Sequence, residues 1–265
     1  MTGKPSPENK YWDQVAGSVE DYYLLPALAR YKTREYLSLL QRWGLGGKGR
    51  VLYTDLYEAA IGDPGFFSGP DSTPEIFGLD ISPGICQRSK DRSGGSKNNI
   101  RIICSDARSL ACSDACFDLV VSPSTFDHFP EIEQALRECH RVLKPGGRLV
   151  LVLNSGSNPF FKLGVRMAER FKKKEYQTDY FYRAGQGRSL LTSTGFATGR
   201  QTGIMHIPFG AVTVMEWLAI HKAPDWLERT FIGLFGLTGC LPHPWPLFTG
   251  WWVVTEGIKH GRKPD

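Results

Sequence analysis

Residues 117–154 read FDLVVSPSTFDHFPEIEQALRECHRVLKPGGRLVLVLN, two short apolar runs framing one amphipathic stretch. Phe117–Ser124 and Arg148–Asn154 have the length and composition of strands. They lack in/out alternation, as strands covered on both faces of a parallel sheet do. Between them, Glu131–Leu143 sets Ile132, Ala135, Leu136, Cys139, Val142 and Leu143 on one helical face. Pro130 marks its start, and Pro145-Gly146-Gly147 is expected as the turn after its end. Strand, helix, turn and strand in that order form the unit of a doubly wound α/β sheet.

Further runs of strand length lie upstream at Arg50–Tyr57, Glu75–Asp80 and Asn99–Asp106. Ahead of them, Ala27–Trp43 places Leu28, Tyr31, Tyr36, Leu39, Leu40 and Trp43 at helical spacing, with Gly44 as a stop. The order is less regular downstream. Ser155–Gly187 is polar, aromatic and basic by turns, and Ser189–Thr194 reads as a short helix ending at Gly195. Ala211–His221 and Trp226–Leu237 read as apolar or amphipathic helices, and Thr249–Ile258 as a last strand.

With 265 residues, 41% of them hydrophobic, the chain can bury one full core and carry insertions. The formal charge of +5 is modest, and no basic stripe with a reading element argues for nucleic acid. The run Lys172-Lys173-Lys174 fits a solvated face, or alternatively peripheral contact with acidic lipid headgroups. Met1–Lys10 has no apolar core of a signal peptide, and no stretch approaches the roughly 20 apolar residues of a spanning helix. Six cysteines without a CxxC pair are expected as reduced thiols rather than metal ligands. We expect a cytoplasmic protein that binds no metal.

Ligands of open α/β sheets bind at the carboxyl edge, so the strand ends carry the chemistry. The second strand ends in Gly78-Leu79-Asp80, where a carboxylate can accept from both hydroxyls of a ribose. The third ends in Ser105-Asp106-Ala107, where a carboxylate can accept from the exocyclic amine of adenine. Acids also follow strands simply because chains turn there. The pair, about one βαβ step apart, points to a nucleotide-type ligand.

With these features, FDLVV, the segment Ser124-Thr125-Phe126-Asp127-His128-Phe129 and Arg141-Val142-Leu143-Lys144-Pro145-Gly146-Gly147-Arg148-Leu149 resemble the second half of a class I S-adenosylmethionine-dependent methyltransferase (type 11-like). Gly78-Leu79-Asp80-Ile81-Ser82-Pro83 is similar to that family's acidic loop, and the likeness spans about residues 50–154. It implies a Rossmann-like sheet of seven strands with the last antiparallel. It also implies a helical lid at 1–46 before the main domain at 47–265, with substrate-covering insertions near 155–187 and 208–247. S-adenosyl-L-methionine would then lie against Thr54, Asp55, Leu56, Asp80, Ile81, Asp106, Ala107 and Ser122. A nicotinamide-dependent dehydrogenase is disfavoured by the absence of GxGxxG.

The sequence departs from the family at one point. A glycine-rich turn usually follows the first strand, yet here it is Thr54-Asp55-Leu56-Tyr57-Glu58-Ala59. Either the site has decayed, leaving a methyltransferase-like protein without methyl transfer, or a variant turn does the same work with Asp55 facing the cofactor's ammonium. Asp80 and Asp106 favour the variant. Asp127 and His128 lie where the family places substrate-facing residues, and His128 is a candidate base with Asp127 to orient it. The alternative is that Asp127 caps the next helix and His128 packs beside it. His140, inside the helix, is read as structural. Aromatics from Tyr11 to Tyr23 would line the lid or pack it onto the core. A Trp- and Phe-rich stretch at 208–252 suggests a small apolar or aromatic acceptor (a natural product, lipid or quinone-like ring), although such residues also build cores.

Overall fold

The computed structural model describes residues 7–18, 26–45, 49–67, 75–93, 100–172, 180–239 and 242–261. Lys173 and Lys174 of the basic run, and Asp21, Tyr22 and Tyr23 of the lid aromatics, lie outside these. Seven strands form one sheet: β1 (Arg50–Tyr53), β2 (Glu75–Asp80), β3 (Arg101–Cys104), β4 (Phe117–Pro123), β5 (Leu143–Asn154), β6 (Phe196–Ile204) and β7 (Trp252–Lys259). Their order is β3-β2-β1-β4-β5-β7-β6, and β7 runs antiparallel to both of its neighbours. This is the expected Rossmann-like sheet with a reversed last strand.

Alternate residues of the central strands feed two cores. Val51, Leu119, Val121, Val150 and Val152 pack on one face with Tyr31, Tyr36 and Leu39 of helix α2 (Pro26–Arg42). Leu52, Val120, Leu149, Leu151 and Leu153 pack on the other with Ala135, Leu136 and Cys139 of helix α5 (Ile132–Val142). Both faces are apolar because successive side chains of a strand point to opposite sides. That is why the strands show no alternation in sequence.

The KPGG stretch is not a turn after α5. β5 begins at Leu143, directly at the end of the helix, and a bulge carries residues 144–147 between the pairings Phe117↔Leu143 and Leu119↔Arg148. Gly146 takes φ +79°, and a Cβ on Gly147 would stand 2.8 Å from the Lys144 carbonyl oxygen, so the bulge needs glycine at both positions. Lys144 closes it by donating to both Asp118 carboxylate oxygens at 2.8 Å.

Several elements are absent from the sequence expectations, among them a helix after β5 and strand β6. Helix α6 (Pro159–Lys172) starts at the Asn158-Pro159 pair, where Asn158 Oδ1 accepts from the Phe160 and Phe161 N–H groups at 3.1 Å. β6 is an edge strand of mostly polar and small residues, which leaves little hydrophobic pattern to read. His140 of α5 stands edge-on to Phe196 at 4.9 Å.

Gly203 of β6 lies under the carbonyl of Pro246, which opens helix α10 (Pro246–Thr249); an added Cβ would meet that oxygen at 1.8 Å. Gly203→Ala is expected to force the backbones apart and lower stability by about 1–3 kcal/mol. The urea midpoint measures this, and an unchanged midpoint would contradict the packing.

Candidate active site

β1 and β4 are adjacent although β2 and β3 come between them in the chain, and this is where the winding reverses. The turn after β1 is pinned there. Thr54 N–H donates to the Val121 carbonyl at 3.0 Å, and the Thr54 and Thr125 hydroxyls are 2.9 Å apart. β1 and β2 pair in parallel with Tyr53 opposite Gly78, so two residues further on Asp55 comes level with Asp80. Strand register thus brings two carboxylates to one cleft.

Both carboxylates accept backbone N–H groups: Asp55 from Tyr57, and Asp80 from Ser82 at 2.9 Å and Leu56 at 3.3 Å. These bonds do not offset the loss of water. Burial, opposed by the Tyr57 N–H, raises the Asp55 pKa to about 6. Burial and then the Asp55 charge raise that of Asp80 to about 7. A ligand bringing a positive group and hydroxyl donors would satisfy the pair, and S-adenosylmethionine carries both. The residues fit that cofactor.

The cleft is open to solvent, and the space between its lining residues, open solvent included, is about 590 Å³. Thr54, Asp55, Asp80, Ile81, Asp106, Ala107 and His128 of the sequence-derived set line it. Leu56, Ser122 and Asp127 do not. Leu56 is fully buried and packs over Gly78, where a Cβ would stand 2.2 Å from its Cδ2. The small residue this turn requires therefore sits on the neighbouring strand rather than in the turn itself. Ser122 is buried within β4. Asp127 is buried beneath the loop after β4, its Oδ2 accepting from Ser124 Oγ and Asn154 N–H, both at 2.7 Å. It holds in place a loop in which Ser124 takes φ +61°. Its other oxygen is 3.9 Å from His128 Nε2, too far for a hydrogen bond.

Asp106 reaches the cleft wall, but both of its oxygens are engaged by Arg108, with Nε at 3.0 Å from each and Nη2 at 2.8 Å from Oδ2. Arg108 also pairs with Glu131 and with Glu8 of helix α1 (Pro7–Ser18), both at 3.0 Å, and lies 5.0 Å over the Phe129 ring. Its five-donor fork suits this convergence of carboxylates. Asp13 of α1 accepts from Ser82 Oγ and from Gly84 N–H, in the first turn of helix α4 (Pro83–Ser93), where negative charge is favoured. Trp12 stands edge-on to Tyr57 at 6.3 Å and to His128 at 5.5 Å. Helix α1 is thus clasped across the cleft. Arg108, Glu8 and Thr125 were missed in sequence, where only the spacing Asp106-x-Arg108 hinted at a pair.

Switch-point cleft, acidic strand ends and a helical cover define a nucleotide-type cofactor site. Residues 66–151 match a family described as a methyltransferase domain. The demethylmenaquinone methyltransferase of Deinococcus radiodurans is 40% identical over 78 residues, 29% of this chain and 32% of that protein. The chain spans about a third of the length of the curated relatives it matches. Among solved structures, an S-adenosylmethionine-dependent methyltransferase of Thermotoga maritima superposes with a TM-score of 0.60 at 17% identity, covering 95% of this chain and 99% of that one. The cyclase SpnF gives 0.57 at 18% identity over 86% and 81%. Residues 66–151 thus carry the sequence of a methyltransferase domain, and the chain as a whole has the fold of S-adenosylmethionine-dependent methyltransferases.

Because folding raises the pKa of Asp55 and Asp80, the ligand-free fold holds protons that the unfolded chain would release. Their contribution to stability is complete below the ordinary carboxylate range and is lost as pH rises through about 6 and about 7. Asp55→Asn, which keeps an acceptor for Tyr57, is expected to raise the ligand-free melting temperature at alkaline pH, with no gain in acid. A pH series of thermal scans measures this, and a loss of stability at high pH would contradict it.

Proposed function

We propose that the chain transfers a methyl group from S-adenosylmethionine to a small apolar, aromatic acceptor of quinone type. The observation that carries this reading is the joining of carboxylates and aromatic rings in one cleft. Besides Asp55 and Asp80, and the charged Glu8, Asp106 and Arg108, the cleft is lined by the rings of Trp12, Tyr57, His128 and Phe129. The name of the D. radiodurans relative, a demethylmenaquinone methyltransferase, supports a quinone-like ring.

When bound, S-adenosylmethionine supplies a methyl group on a positively charged sulfur. Asp55 would pair with the ammonium and Asp80 with ribose hydroxyls, fixing the donor's direction. Trp12 and Tyr57 would exclude water above it. His128, at the wall beyond β4, would take the proton from an acceptor hydroxyl or from the activated ring position. Buried Asp127 keeps that loop in place and is assigned as a positioning residue.

A second reading, a ligand-binding or non-methylating enzyme on the same fold, draws on Arg108 occupying Asp106. Incubation with S-adenosylmethionine and a quinol lacking its ring methyl separates the two. The first predicts S-adenosylhomocysteine and methylated quinol in equal amounts. His128→Ala should then lower kcat by roughly 10²–10⁴ with affinity for S-adenosylhomocysteine unchanged. Full turnover in that variant would remove His128 as the base. Altered acceptor without S-adenosylhomocysteine would favour the second reading.

A further inference from the structure

The turn after β1 lacks the glycines that let a backbone fold closely around a cofactor, so its shape must be held by side chains. Thr54 joins it to the loop after β4 through Thr125, and Leu56 fills the space over Gly78. Two residues on, Glu58 in helix α3 (Tyr57–Ala60) turns into the interior, where it is 3% exposed. Its Oε2 accepts from the Asp63 N–H at 3.0 Å. An added Cβ on Gly62 would stand 2.0 Å from that oxygen, so Gly62 leaves room for the carboxylate.

The other oxygen of Glu58 accepts from the ammonium of Lys32, which α2 delivers and which is itself 8% exposed. Lys32 Nζ also lies 5.3 Å over the Trp252 ring. Trp252 Nε1 donates to Asn154 Oδ1 at 3.0 Å, and the Asn154 N–H donates to Asp127. Lys32 thus links the turn that carries Asp55 to the loop that carries His128.

A buried ion pair adds little stability over apolar side chains of the same size, because both charges lose water. What it supplies is direction and a local field. Pairing with Lys32 fixes where Glu58 points, and with it the start of α3, whose Tyr57 N–H donates to Asp55. Burial is the main force against the charged form of Asp55. Of the charges acting on it, Lys32 favours that form most, Glu58 opposes it and His128 favours it less. Asp80 of β2 and the buried Tyr36 hydroxyl of α2 face the same carboxylate.

We infer that Lys32 is a positioning residue for the cofactor: through Glu58 it holds the glycine-free turn, and it sets a positive charge near the Asp55 carboxylate. The inference rests on S-adenosylmethionine as the cofactor. Calorimetric titration with S-adenosylhomocysteine at about pH 6 and about pH 8 tests it, read as the ratio of the two affinities. Lys32→Met removes the favourable charge and leaves Glu58, so Asp55 ionises later. Affinity near pH 6 should fall by roughly tenfold, and the ratio should widen. Glu58→Gln removes the opposing charge, keeps an acceptor for Asp63 and should narrow the ratio. Lys32→Arg should restore it.

A merely structural role would lower affinity by one factor at both pH values. Ratios that stay at that of the unsubstituted protein, or that move the same way in Lys32→Met and Glu58→Gln, would overturn the inference. Because each of these leaves a buried charge unpaired, the neutral pair Lys32→Met/Glu58→Gln is measured beside them. Lys32 acts on Asp55 more strongly than Glu58 does, so the ratio of this variant should still exceed that of the unsubstituted protein. An equal ratio would also overturn the inference. Failure of the folded, unsubstituted protein to bind S-adenosylhomocysteine at either pH is a separate outcome, which would remove the cofactor reading and this inference with it.

Discussion

Two like charges brought together by strand register set the terms for the rest of the site. Tyr53 pairs with Gly78, so the next outward positions, Asp55 and Asp80, share one cleft. The fold accepts this because backbone N–H groups of the β1 turn and the β2 loop point at the carboxylates, and because protonation relieves the remainder. Such an arrangement stabilises the complex with a positively charged ligand more than it stabilises the empty fold. Lys32, a nearby cation, is engaged with Glu58 in the interior.

The cover over the cleft depends on the same edge. Arg108 binds Asp106, Glu131 and the lid residue Glu8, while Asp13 reaches the first turn of α4. Lid and cofactor wall therefore share side chains, and a ligand at Asp106 would meet a carboxylate already bonded to Arg108. The sheet edge that carries this clasp also carries the apolar helices after β5 and β6.

The central sheet was legible because its residues obey one strong constraint. Strands buried on both faces must be continuously apolar, and α5 must turn its Ala135–Cys139 stripe inward. Asp80 and Asp106 followed from the rule that strand ends carry the ligand. Less visible were features fixed by long-range partners. The KPGG glycines serve a bulge whose need appears only once β5 is paired to β4. Leu56 looked like part of the cofactor turn, yet it fills the space left by Gly78. Arg108 and Glu8 are 100 residues apart in the chain, so no local pattern could join them. Edge strand β6 and α6, many of whose apolar side chains face outward, carried too little core signal to read.

The central claim is that the Asp55–Asp80 pair receives a positively charged cofactor in its ionised form. Calorimetric titration with S-adenosylhomocysteine, whose ammonium would take the same place, tests it directly when repeated from acid to alkaline pH in buffers of different ionisation enthalpy. The account predicts proton release on binding and an affinity that climbs as pH rises through about 6 to 7, then levels off. Binding that is independent of pH and buffer, or no binding by the folded protein, would contradict it.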